Sequence, residues 1–205
     1  MNYLRNFAPW LVYAGISTFN WRLGALSALI CALYLLVKDR RAGVEASAQI
    51  LDFGTIVYAL GLTVLAFTDP HSSLQANDGA ISSAWLALIG WASLALRKPF
   101  TLGMARRSAP KEVWRAPHFI RINTVLTTVW TVGFTLSAVA EFACTELDAP
   151  SPLQMICRVA GFAVPAVFTV HYVKGVRARA AAAQATQAAA AQPQPAPSLS
   201  YAERA

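Results

Sequence analysis

Charge is what this sequence has least of. Only 13% of its 205 residues are Asp, Glu, Lys or Arg, whereas 56% are hydrophobic. Soluble domains carry about 25% charged residues, so about half of the usual solvating surface is missing. Cysteine is scarce too: Cys31, Cys144 and Cys157 form neither a disulfide framework nor a metal-ligand spacing. The histidines stand singly. There is no phosphate-binding glycine loop, no dinucleotide fingerprint and no nucleophile–base–acid set. These absences argue against an enzyme, and neither a cofactor nor a metal is expected.

What the chain does have is long apolar runs. Six can be marked, at about Leu4–Phe19, Leu23–Val37, Ile50–Thr68, Ala80–Leu96, Phe119–Ala143 and Pro152–Val173. A bilayer core about 30 Å thick needs about 20 apolar residues per helix, and these windows approach or meet that length. The expected fold is therefore all-α: a polytopic transmembrane helical bundle over residues 1–176, with six spans. Five remain if the first two short windows, parted only by Asn20, Trp21 and Arg22, form a hairpin that does not fully cross. The N-terminal run mimics a secretory signal but lacks the small-x-small cleavage pattern, so a retained first helix is expected. Residues 177–205, rich in Ala, Gln and Pro, lack apolar periodicity and read as a disordered tail after a short helical extension.

The net charge of +7 does not indicate nucleic acid, because the basic residues flank apolar windows and do not cover a soluble face. Their distribution sets an orientation instead. Lys38, Arg40 and Arg41 follow the second window, and Lys174, Arg177 and Arg179 follow the sixth. The stretch from Leu96 to Pro117 holds six Lys/Arg against one Glu. The loops after the third and fifth windows contain Asp69, Asp78, Glu146 and Asp148 and no cation. Six crossings with both termini in the cytoplasm of a bacterial inner membrane retain 15 of the 17 basic residues inside, leaving only Arg22 and Arg158 outside. Lys98, Arg106, Arg107, Lys111 and Arg115 are then expected to meet anionic headgroups or a partner protein. Phe100, Trp114 and Phe119 would lie at headgroup depth, and Pro110 and Pro117 bracket one short interfacial turn.

Ionisable groups inside the windows need partners, since each costs about 2.5–3.5 kcal/mol at mid-helix. Asp52, Arg121 and Asn123 fall within about one turn of the same depth. Either Asp52 pairs with Arg121, or Arg121 snorkels to phosphate while Asp52 sits at the water edge. Glu141 and Arg158 form a second candidate pair across the short loop between the fifth and sixth windows. Thr124, Thr128, Thr131 and Thr135 make one stripe of hydroxyls, which serves either helix packing or a polar solute path. Ala80, Ser83, Ala87 and Gly90 give the fourth window a comparable small face, and Pro165 is expected to kink the sixth. Cys144 and Cys157 could approach each other on the outer side. TIVYALGLTVLA from Thr55 echoes TTVWTVGFTLSA from Thr127, which is compatible with a duplicated hairpin.

Lys98, Pro99, Phe100 and Thr101, then Trp114, Pro117 and Phe119, then Asn123, Thr127 and Trp130 resemble a segment shared by a group of bacterial multi-pass membrane proteins without assigned function. The layout is also distantly similar to inner-membrane proteins of the intracellular septation protein A type. That resemblance implies a cell-envelope role through partners, with no catalytic residues; the long Ala/Gln tail departs from the pattern. The leading expectation is a non-enzymatic membrane protein acting through lipid or protein contacts, with a membrane-protein partner or as a homo-oligomer. The alternative is a small-solute transporter or channel using Asp52, Asn123 and the threonine stripe.

Overall fold

A computed structural model describes residues 3–190, and every regular element among them is a helix. The helices are α1 (Tyr3–Asn6), α2 (Ala8–Ser17), α3 (Trp21–Arg41), α4 (Ile50–Thr68), α5 (Asp78–Ala95), α6 (Phe100–Arg106), α7 (Pro117–Glu146) and α8 (Ser151–Ala190). Four of them, α3, α4, α7 and α8, are long and apolar enough to cross a membrane, and a fifth span results if the bent pair α5–α6 is taken as one.

Of the six expected spans, the first is not among them, and the fourth is counted only when α5 and α6 are taken together. The first apolar window is broken at Phe7, with Pro9 starting a new helix because its missing N–H is an orphan donor there anyway. The ten residues of α2 rise about 15 Å, half a hydrocarbon core. Helix α3 begins two residues before the expected window because the Asn20 side chain accepts from the backbone N–H of Leu23 at 3.1 Å and caps it. At the other end of the chain, α8 runs past Val176 to Ala190, further than the short extension expected, as its alanine-rich sequence favours. The rest of the proposed tail, residues 191–205, lies outside the described residues.

The described residues up to 166 form one compact unit and those from 167 onward a second. In the second, Phe168 stacks on Tyr172 with ring centres 5.4 Å apart.

The first unit is held by small-residue contacts and an aromatic layer. The small face of α5 is buried: Ala80, Ser83, Ala87 and Gly90 all lie inside the bundle. A Cβ on Gly90 would overlap the side chain of Thr131 on α7, so glycine sets the closeness of that pair. Pro165 is buried, and helix α8 carries on through it, its ring set where a Cβ on Gly133 would stand. Gly61, the counterpart of Gly133 in the sequence echo, faces open space.

Between α2 and its neighbours lie two runs of rings. Phe7 stacks on Trp130 at 4.7 Å and meets Phe162 edge-on at 5.7 Å. On the other side, Trp10 stacks on Tyr58 at 5.0 Å, and Tyr58 leans on Trp85 at 5.8 Å. Offset and edge-on pairs of this kind contribute about 0.5–1.5 kcal/mol each beyond their burial. Both indoles that face α4 are satisfied: Trp10 donates to Thr55 Oγ1 at 3.1 Å and Trp85 to the Gly54 carbonyl at 2.9 Å.

Two ionic clusters and an apolar cavity

The basic loop after α5 does not lie flat on a surface. Between α5 and α6 the chain turns by 81°. That turn sends Phe100, Thr101, Leu102 and Met104 into the core, where they are buried, and brings Arg107 back over the ends of α3 and α4. Phe100 is thus a core residue and not a headgroup anchor. The Thr101 hydroxyl lies 2.8 Å from both the Asn123 carbonyl and Thr127 Oγ1, fixing α6 to α7.

Arg107 is the centre of the first cluster. Its guanidinium reaches Asp39 at 2.7 Å, Asp52 at 2.6 Å and Asn6 Oδ1 at 2.9 Å, and only 9% of its side chain is exposed. Arg5 also pairs with Asp39. Two cations therefore meet two carboxylates, and the cluster is formally neutral. This corrects two expectations. Asp52 pairs with Arg107 and not with Arg121, which is exposed on α7; and Arg107 is withdrawn from headgroup contact. The physical reason is the bend: without it the loop cations would point away from the bundle.

Other loop residues stay outside. Lys98, Lys111 and Arg115 are exposed, and Trp114 is half-buried with Arg106 over its ring at 5.6 Å and its indole N–H donating to the Ala109 carbonyl. Lys111–Val113 forms a single 3-10 turn. Asn123 is buried and donates to the Phe119 carbonyl at 2.8 Å, away from Asp52's partners.

The second cluster lies where α5 begins, α7 ends and α8 begins. Arg158 donates from Nε to Glu141 at 3.1 Å and from Nη2 to Asp78 at 3.2 Å. Glu141 is buried and accepts from Ser83 at 2.8 Å and Ser137 at 3.0 Å as well. Asp78 accepts from Tyr13 at 2.8 Å, and Tyr13 accepts from the Trp21 indole at 3.1 Å. The chain of bonds links α2, α3, α5, α7 and α8. Gly79 makes the approach possible, since a Cβ there would overlap both Arg158 and Glu141. The sequence places Glu141 and Arg158 at one depth but does not single out Tyr13 or Asp78, whose position before the fourth apolar window reads as loop charge although it is the first residue of α5. Nearby, Cys144 and Cys157 are free thiols with Sγ atoms 3.9 Å apart.

A cavity of about 320 Å³ adjoins this cluster. It lies between α2 and α8, with α5 and Trp130 of α7 behind it. Trp10, Leu86, Trp130, Phe162 and Ala166 form an almost wholly apolar lining. Among the lining residues Leu11, Met155 and Val159 are each more than half exposed, so the exposed edge of the lining is itself apolar. Arg158 is the charged side chain on its wall.

None of the four threonines of the α7 stripe reaches this cavity. Each donates to the carbonyl four residues earlier, at 2.7–3.0 Å, and so is satisfied by its own helix. Among the described residues, no group of His, Cys, Asp and Glu is arranged to hold a metal ion.

Fold and site together define a helical protein with four or five apolar helices compatible with crossing a membrane, carrying a lateral apolar cavity beside an ionic cluster. Set against known proteins, the chain matches no family model, no curated protein and no solved structure, so the geometry carries the functional reading.

Proposed function

We propose that this chain is a non-enzymatic protein of the bacterial inner membrane that holds a hydrophobic molecule of the bilayer in the cavity between α2 and α8. The carrying observation is the exposed edge of the cavity's lining. Leu11, Met155 and Val159 are apolar and exposed, an arrangement that is unfavourable in water and favourable against hydrocarbon. At about 320 Å³ the space is in the range of sites that take a small ligand. Exposed Lys98, Lys111 and Arg115 fit a cytoplasmic face against anionic lipid, by the bias that retains cations inside. The resemblance to septation-type proteins would add an envelope role through partners or a second copy.

The cavity reading is preferred to a solute path along the threonine stripe, because those hydroxyls donate to their own backbone and stand apart from the cavity. Native mass spectrometry of the detergent-purified protein is the test. The wild type is expected to retain a bound lipid-sized molecule through gentle activation, and Ala166→Phe, which fills the cavity, to release it. Identical retention by both would refute the cavity as the site. A reporter fused after Ala109 is expected in the cytoplasm; a periplasmic signal would invert the orientation.

A further inference from the structure

We infer that the occupant of the cavity carries a neutral hydrogen-bond acceptor, a carbonyl oxygen, at the end that meets Arg158. This rests on the cavity being a ligand site, as proposed above, and names the chemistry of the ligand's polar end.

The argument is one of donors and charge. The polar side chains around the inner wall are Tyr13, Ser82, Ser83 and Arg158. Tyr13 donates to Asp78 and Ser83 to Glu141, while Ser82 shares its bond with Tyr58. Arg158 commits Nε and Nη2 to the two carboxylates, and its Nη1 takes no partner among the described residues. The side chain is 32% exposed, and it is the charged group in a cavity lining that is otherwise almost wholly apolar. An arginine N–H facing hydrocarbon lacks the acceptor it would find in water, and an unpaired donor of that kind is costly. A ligand acceptor at that place removes the deficit.

Charge selects which acceptor. Arg158 already sits between Asp78 and Glu141, so the cluster holds one positive against two negative groups. A phosphate or carboxylate entering beside it would add a further negative charge in a low-dielectric site, where like charges repel strongly. A carbonyl supplies lone pairs without charge. Two bilayer components share this chemistry: the ester carbonyl of a lipid and the ring carbonyl of a quinone. Both have the hydrophobic body that the lining of Trp10, Trp130 and Phe162 requires.

Photo-crosslinking of the full chain in vesicles separates the possibilities. Diazirine-tagged probes would be a diacylglycerol, its ether analogue without carbonyls, and phosphatidic acid with the same chains. Adducts are mapped to α2 and α8 by peptide mass spectrometry. The diacylglycerol is expected to label the cavity about tenfold more than the ether analogue, the size of one hydrogen bond to a charged donor, and more than phosphatidic acid. Displacement of that label by a short-chain benzoquinone assigns the carbonyl to a quinone, and persistence assigns it to a lipid ester; both keep the inference. Equal labelling by ester and ether, or strongest labelling by phosphatidic acid, overturns the carbonyl while leaving a hydrophobic site. No label in the cavity from any probe overturns the site itself. All arms use the wild-type chain, so folding of a variant does not enter.

Discussion

At one end of the bundle two arginines meet two aspartates; at the other a single arginine meets an aspartate and a glutamate. Both clusters join helices that are distant in sequence, and both sit beside the aromatic layer. Seven positions along the chain, across the break at Phe7, separate Asn6 in the first from Tyr13 in the second. They differ in closure. Arg107 is 9% exposed with its partners packed around it, while Arg158 is 32% exposed and lines a cavity. A balanced, enclosed cluster fixes helices. An unbalanced one that opens onto a cavity has bonding capacity left for something else.

That contrast breaks most visibly at Arg107. Replacing it by Ala leaves Asp39 and Asp52 buried with Arg5 as the remaining cation, and removal of one partner of a buried pair costs about 3–5 kcal/mol. Arg107→Ala is expected to fail to accumulate as folded protein, read by size-exclusion and thermal unfolding in detergent. A melting temperature within a few degrees of wild type would show that the closed cluster is not structural.

Two glycines sharpen the comparison. A Cβ on Gly103 would run into the backbone carbonyl of Ala48, which cannot move aside alone. A Cβ on Gly79 would meet the ends of the Arg158 and Glu141 side chains, which can. Gly103→Ala is therefore expected to cost about 1–3 kcal/mol, the range for forced overpacking, and Gly79→Ala less. Gly79→Ala is also expected to weaken ligand retention, because Arg158 must shift. Equal melting temperatures for the two variants would remove the distinction between a rigid end and an adaptable one.

Much of the helical layout was legible in the sequence, because hydrocarbon demands continuous apolar length. The window Ile50–Thr68 is helix α4 without change, and the fifth window grew only by a few polar residues at either end. The first window misled because Pro9 and Phe7 break it, and composition alone does not register a break. Arg107 is not distinguishable from Arg106 beside it in the sequence: one pairs with Asp39 and Asp52 and the other lies over Trp114. The available signal was the apolar set Phe100, Leu102 and Met104 inside a basic loop, which marks a segment that folds inward. Glu141 and Arg158 could be placed at one depth because a short loop joins their helices. The cavity could not be seen, since four helices far apart in sequence contribute its walls.

The loss expected at Arg158 is smaller than that at Arg107, and it decides whether the open cluster is a site or a second staple. Arg158→Gln removes a cation from Glu141, yet Glu141 keeps the hydroxyls of Ser83 and Ser137, and Asp78 keeps that of Tyr13. Those donors, and the partial exposure of the arginine, hold the loss to about 1.5–3 kcal/mol, the scale of a hydrogen bond to a charged group. Adding Glu141→Gln removes the stranded carboxylate and is expected to recover part of that loss, as coupled neighbours do in a double-mutant cycle. Ligand retention, in contrast, is not expected to recover, because the donor facing the cavity is still absent. If the double variant regains both stability and ligand, Arg158 serves the fold alone. If Arg158→Gln unfolds the protein as fully as Arg107→Ala, the two ends are equivalent and the cavity has no privileged polar wall.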